Sequence, residues 1–379
     1  MSLRVGFIVE SGTDVRLIEG LTERFTLTVL ARQIPGGRVI SQPPAEPPSI
    51  EVGPAGREAF AWFVARRWQW LRARTDVVIV QGYGPAAAMA NLLGRVTGHP
   101  VRMLVCSPVE AYYRARRGSD STRPYRGVEY GVITALARVN GIIGQRYIAL
   151  SPYLADVIRE SGTRRSIDVI PIYGVDDRIF SPATEPVVSI RARLGLDAAS
   201  RIVFFSSRVA PEKDAATVLR AIALLARAGR PVRLLHLSGG HREFLTLAES
   251  LSIADRVVAG DAVAPFAPLA DYYRASDVCV QASREEGLGF SPLEALACGV
   301  PVVASAVGGL TNTIRDGDTG WSVPVGDAGA LAGAIASVLD NPAEARLRTA
   351  RGRAMVLADY RRSAVFDALT RSLNGADRS

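Results

Sequence analysis

The chain has 379 residues, 48% of them hydrophobic and 22% charged, with a formal net charge of +8 and three cysteines. That balance excludes an intrinsically disordered chain, and the lack of any apolar run near the ~20 residues of a bilayer span excludes an integral membrane helix. The length exceeds that at which one hydrophobic core keeps growing, so two domains are predicted, and the positive charge calls for an anionic small molecule or surface more than for nucleic acid, of which no motif is present.

Read in chain order, the amino-terminal LRVGFIVE is a buried strand, DVRLIEGLTERF a helix and LTVLAR a second strand. Residues 35–56, rich in Pro and Gly, are predicted as a surface loop. The helix that follows, to about residue 74, carries Trp62, Trp68 and Trp70 among Arg66, Arg67, Arg72 and Arg74. It reads as a crossover helix with its aromatic stripe on a sheet; peripheral contact with an anionic membrane is the alternative. Further strands are DVVIVQG, VRMLVCS, YIALS and IDVIPIY, with turn-type residues at 176–186 marking a seam. A second series then begins with RIVFFSS and continues through VRLLHL, RVVAGD, DVCVQAS, PVVAS and WSVPVG. Strands alternating with helices predict an α/β protein of two doubly wound, Rossmann-like domains. Cys106, Cys279 and Cys298 lie far apart with no CxxC spacing and read as reduced core residues of a cytoplasmic protein. The histidines form no cluster with acidic residues, so no metal is expected.

Of 45 basic residues one is a lysine, Lys213, in SSRVAPEKDAA after the strand RIVFFSS. An arginine-rich composition explains a stray lysine by chance. Chemically, an ammonium is a compact charge that enters a phosphate cluster end-on, where guanidinium needs planar room. Ligands of open α/β sheets bind at the carboxyl ends of strands, and Arg208 and Lys213 stand there, spaced to converge on one anion. The competing expectation pairs Arg208 with Glu212 or Asp214 at the surface. In ASREEGLGFSPLEALACG a strand runs into a glycine-bearing loop and then a helix, with Ser291 predicted at N-cap, Pro292 at N1 and Glu294 closing a capping box. The N–H groups of that helix start make an anion site, and Gly287 and Gly289 let a ligand approach the backbone. Glu286, in the loop, can accept hydrogen bonds from sugar hydroxyls, or can simply be solvated.

At these residues the chain resembles the retaining glycosyltransferases of GT-B fold, family 4, across about residues 140–360. Glu286 and Glu294 stand in an E-x7-E arrangement, SRVAPEKD resembles the family's phosphate-binding segment, and DYYRASDV and GGLTNTIRDGDTGWSVPVGD extend the match. The resemblance implies two Rossmann-like domains facing a cleft: residues 1–180 binding the acceptor, residues 181–358 binding the donor, and residues 359–379 crossing back to the first domain. It implies transfer of a hexose from a nucleoside-diphosphate sugar, of UDP, GDP or dTDP type, to a hydroxyl acceptor without metal or cofactor. Arg208 and Lys213 would hold the diphosphate and Glu286 the hexose hydroxyls. Gly12 and the backbone at Gly289, Phe290 and Ser291 would approach the donor, with Glu294 on the ribose and Val263, in GDAVAPF, framing the base. Ser107, Glu110 and Tyr112 are the acceptor-side candidates. The amino-terminal half departs from the family: Cys106, Ser107 and Pro108 follow the strand after which members commonly carry a histidine, and Gly12 is the lone glycine of ESGTD. That departure keeps a second expectation open, a catalytically silent nucleotide-binding protein or partner subunit.

Overall fold

A computed structural model describes residues 2–35, 48–117, 127–197, 199–237, 241–260 and 267–375. The chain folds as two compact units, one of Met1–Tyr113, Arg123–Gly174 and Ser363–Ser379, the other of Arg114–Thr122 and Val175–Arg362.

Among the described residues the first unit holds seven strands: β1 (Arg4–Val9), β2 (Thr26–Arg32), β3 (Ser49–Gly53), β4 (Val77–Gln81), β5 (Val101–Val105), β6 (Arg146–Ala149) and β7 (Ile167–Val169). They pair in parallel in the order β3-β2-β1-β4-β5-β6-β7. Near-continuous apolar runs such as VVIVQ in β4 form these strands because helices bury both faces of a parallel sheet. The helix Arg57–Arg74 turns Phe60, Val64, Trp68 and Leu71 inward. Trp68 donates through Nε1 to Thr97 Oγ1 at 3.1 Å and meets His99 edge-on, while His99 Nε2 contacts Thr75 Oγ1 at 3.2 Å. Of the three tryptophans only Trp68 joins the core: Trp62 is exposed and Trp70 half-buried under Arg74.

β3 corrects the reading of residues 35–56 as loop throughout. Ser49–Gly53 pairs with β2 from Thr28↔Ser49 to Arg32↔Gly53. An edge strand needs one row of ladder bonds, and Ile50 and Val52 alternate with polar partners; Arg67 anchors it through Glu51 at 2.9 Å. Residues 36–47 lie outside the described residues.

The second unit holds β8 (Arg201–Phe205), β9 (Val232–Leu237), β10 (Val257–Gly260), β11 (Val278–Gln281), β12 (Val302–Ser305) and β13 (Trp321–Val323), in the parallel order β10-β9-β8-β11-β12-β13. Its core joins Val203, Phe205, Val280 and Val303 to the helices Ala215–Arg227 and Ala328–Asp340. In each sheet the strand order reverses once, between β1 and β4 and between β8 and β11, and the crevice outside that reversal is where such folds take ligands. No helix among the described residues is long and apolar enough to cross a membrane.

Candidate active site

The reversal between β8 and β11 brings two loops side by side. After β8 the chain makes a tight turn, Pro211–Lys213, and enters the helix Ala215–Arg227 through Asp214, which holds a left-handed conformation (φ 47°, ψ 54°). A non-glycine residue there is strained and needs outside support. Asp214 receives it by accepting from Thr217 N at 3.3 Å and Thr217 Oγ1 at 2.8 Å and by pairing with Arg284 at 2.9 Å. Arg284 belongs to the loop after β11, and its backbone N–H also donates to Glu212 O at 2.8 Å, so the two loops are stitched together.

That stitching sets the lone lysine. Lys213 Nζ lies 2.5 Å from Glu286 Oε2, with side-chain exposures of 15% and 10%. The same oxygen accepts from Ser283 Oγ at 3.1 Å and Gln281 Nε2 at 3.2 Å, and Gln281 Oε1 accepts from Ser207 Oγ at 2.8 Å. Glu286 is therefore a fixed carboxylate in a polar network at the strand ends, ready for hydroxyl donors.

Beyond Glu286 the backbone packs tightly. Gly309 N donates to Glu286 O at 2.9 Å, and a Cβ on Gly309 would sit 2.1 Å from Gly287 O. The helix Phe290–Ala297 starts from Gly289 at φ 87°. This overturns the capping box. The N-cap is Gly289, Phe290 takes N1, and Ser291 and Pro292 already lie inside the first turn, because a left-handed glycine lets the chain turn into the helix two residues early. Freed from capping, Glu294 is buried and accepts from Tyr273 Oη at 2.9 Å, and Tyr273 Oη also meets Ser206 Oγ at 3.2 Å. Burial, then the Glu294 charge, push the Tyr273 hydroxyl well above the ordinary range, which keeps it a donor to that carboxylate. Phe204 at 5.1 Å and Phe180 at 6.1 Å hold the Tyr273 ring.

Arg208 takes the competing partner. Its guanidinium is 57% exposed and pairs with the buried Glu212. Val263 and the GDAVAPF residues 261–266 lie outside the described residues.

In the first unit the reversal between β1 and β4 places Glu10 at the end of β1, where its Oε2 accepts from Ala86 N at 3.2 Å at the start of the helix Pro85–Thr97. A Cβ on Gly84 would fall 2.0 Å from that oxygen, so glycine there makes room for the carboxylate. Burial raises the Glu10 pKa; the Ala86 N–H and Arg57 act against it. Gly12 follows, exposed, before the helix Val15–Arg24. Past β5, Cys106 Sγ accepts from Tyr173 Oη at 3.7 Å, and burial pushes the thiol up to about 12. Ser107 and Tyr112 are half-buried, and Glu110 Oε2 accepts from Tyr130 Oη at 3.5 Å.

The structure thus gathers Lys213, Glu286, Gly289, Phe290, Ser291 and Glu294 around one reversal, while Gly12, Ser107, Glu110 and Tyr112 belong to the other unit. Sequence reasoning missed Tyr273, Gln281, Ser283, Ser207 and Glu10. The polar residues ending apolar runs, as in VCVQAS and GFIVE, were the available signal. Among the described residues no three His, Cys, Asp or Glu side chains group as a metal site.

Comparison with known proteins bears on this geometry. Residues 188–354 match the family model of the glycosyl transferases group 1. The D-inositol 3-phosphate glycosyltransferase of Thermobispora bispora is 40% identical over 181 residues, 45% of this chain and 41% of that protein. The enzyme of the same name from Mycolicibacterium vanbaalenii is 41% identical over 184 residues, 44% and 39% of the two chains. The chain thus spans about two fifths of the length of these curated relatives. Among solved structures, sucrose-phosphate synthase from Thermosynechococcus elongatus superposes with a TM-score of 0.77 at 23% identity, covering 99% of this chain and 100% of that one. Anabaena Alr3699/HepE in complex with UDP does so at 0.77 and 16% identity, covering 98% and 100%.

Proposed function

We propose, from the premise that the chain has the GT-B fold and that its residues 188–354 belong to the glycosyl transferases group 1 family, that the protein is a retaining hexosyltransferase. It moves a hexose from a nucleoside-diphosphate sugar to a hydroxyl acceptor. The second unit takes the donor and the first unit the acceptor. The observation that carries this reading is the Lys213 ammonium, the chain's one lysine, resting on Glu286 at the sheet reversal beside the start of the helix Phe290–Ala297.

The Lys213 ammonium and the Glu286 carboxylate pair directly. With donor bound, the diphosphate takes the ammonium, hexose hydroxyls donate to Glu286, ribose hydroxyls donate to Glu294, and Arg208 swings from Glu212 to the phosphates. As the anomeric C–O bond breaks, its electron pair moves to the phosphate oxygen, where Lys213 and the helix start stabilise the charge by about a few kcal/mol per group. The acceptor oxygen bonds to the anomeric carbon on the face that the phosphate leaves, and the acceptor proton passes to the departing phosphate. Cys106, a neutral thiol at ordinary pH, supplies no base.

The HepE complexes with UDP and with UDP-glucose make UDP the first nucleotide to test, and the curated relatives make D-inositol 3-phosphate the first acceptor. The free cysteines fit a reducing, cytoplasmic setting. A thermal-shift panel of UDP, GDP, ADP and dTDP identifies the base, since a ligand of the folded state raises its melting temperature. Donor hydrolysis or transfer by the wild type that Lys213→Ala abolishes supports the proposal. A nucleotide that binds without turnover against any acceptor replaces it with the silent nucleotide-binding protein.

A further inference from the structure

The helix Val128–Ile143 is anchored on one side, and its other side is exposed among the described residues. Asn140 fixes its inner face, accepting from Asn91 Nδ2 at 3.0 Å and donating to Tyr83 O at 3.2 Å, with Ala137 and Gly141 buried beside it. Its outer face carries Val128, Val132, Ala135, Val139 and Ile142, all exposed, with Val128 at 87% and Ile142 at 64%. Leu92 and Val96 of the helix Pro85–Thr97 extend this surface, and Arg95 joins the two helices by donating to Ile142 O at 3.1 Å.

The spacing of the stripe, alternately four and three residues, is that of a helix–helix seam. At 100° per residue it spans only about 80°, narrower than the face of a helix lying in a membrane. It is also symmetric about Ala135: Val132 and Val139 lie three and four residues to either side, Val128 and Ile142 seven. An antiparallel copy crossing at Ala135 would set Val128 against Ile142 and Val132 against Val139, with the smallest side chain at the closest approach.

Area agrees with this occupant. The exposed parts of the six large apolar side chains amount to roughly 600 Å² per copy, so about 1,200 Å² for a pair, the lower bound of stable interfaces. The only acid on the helix, Glu129, accepts from Tyr113 Oη at 2.6 Å, and the helix Pro85–Thr97 carries none. Arg138 is the one base of the helix, and in the antiparallel register it lies over Gly131 of the second copy, where there is no side chain to repel it.

We propose that this face is a two-fold interface with a second copy of the chain, formed by antiparallel packing of the helix Val128–Ile143 about Ala135. The inference stands apart from the proposed activity. Light scattering after size exclusion of the full chain should give about twice the 40.5 kDa of one chain. Ala135→Arg and Val132→Asp should halve that mass and raise the dissociation constant at least 100-fold, while circular dichroism and the nucleotide-induced melting shift stay as in the wild type. Ala135→Cys should form a disulfide-linked dimer on mild oxidation, and Asp156→Cys, on another helix, should not. A wild-type monomer at micromolar concentrations, or a dimer indifferent to Ala135→Arg with no cross-link through Ala135→Cys, overturns the proposal. Wild-type monomer that sediments with phosphatidylglycerol vesicles, with Val132→Asp abolishing the binding, overturns it in favour of a lipid surface.

Discussion

Removing the Lys213 side chain tests the site through stability and chemistry together. The Lys213–Glu286 pair is nearly buried, and Glu286 Oε2 keeps the neutral donors Ser283 and Gln281 once the ammonium is gone. Orphaning one member of a fully buried pair costs about 3–5 kcal/mol; with slight exposure and neutral donors left, we expect about 2–3 kcal/mol for Lys213→Ala. At about 2–4 °C per kcal/mol for a unit of this size, its melting temperature should fall by roughly 4–12 °C. Adding Glu286→Gln removes the stranded charge while keeping an acceptor, so the double variant should recover most of the loss. Transfer should stay at or below about 10²–10³-fold under wild type in both, because the preorganised cation is missing from each. Calorimetry on the wild type, both single variants and the double variant, with transfer assays alongside, gives the full cycle. A Lys213→Ala protein as stable as the wild type, or a double variant no more stable than that single one, would refute the buried-pair argument. Undiminished transfer in either would remove Lys213 from the chemistry.

Tyr273→Phe should leave Glu294 one donor short and cost about 1–3 kcal/mol in urea unfolding, with nucleotide affinity weakened as the carboxylate loses its orientation. Unchanged values in both would mean that Tyr273 merely fills space. Gly289→Ala meets two obstacles, φ 87° and a Cβ at 2.5 Å from Leu310 Cδ2, and should destabilise by about 1–3 kcal/mol; a neutral result would contradict the left-handed helix start. Glu10 has a folded pKa raised above its ordinary 4.5, so its charged form opposes folding and its contribution is lost as pH rises through the folded value. Glu10→Gln, which keeps an acceptor for Ala86 N, should therefore melt above the wild type at neutral pH, with the gap closing towards about pH 4. A gap that widens on acidification would reverse the sign.

The comparison of sequence with structure turns on the range of the interactions concerned. Strands such as VVIVQ and RIVFF were legible because burial on both faces demands unbroken apolar runs, which local sequence reports directly. Lys213 and Glu286 stood out for a related reason, since the carboxyl ends of those strands are the places where such a fold exposes polar groups. β3 was hidden because an edge strand of five residues carries little apolar signal and takes its identity from β2. The capping box failed although its residues fit, since the choice of N-cap depended on the conformation of Gly289, and that is set by Leu310 and Gly309 packed against the loop.

By itself the sequence determined the two-series α/β architecture, the loops that bear the site and the one cation suited to a phosphate. Tertiary structure alone decided that Lys213 rests on Glu286, that Arg208 pairs with Glu212, that Tyr273 serves Glu294, and that a valine stripe is exposed among the described residues. Those outcomes depend on contacts between residues up to 73 positions apart, as in the Lys213–Glu286 pair, and a local pattern carries no trace of which distant side chain will arrive.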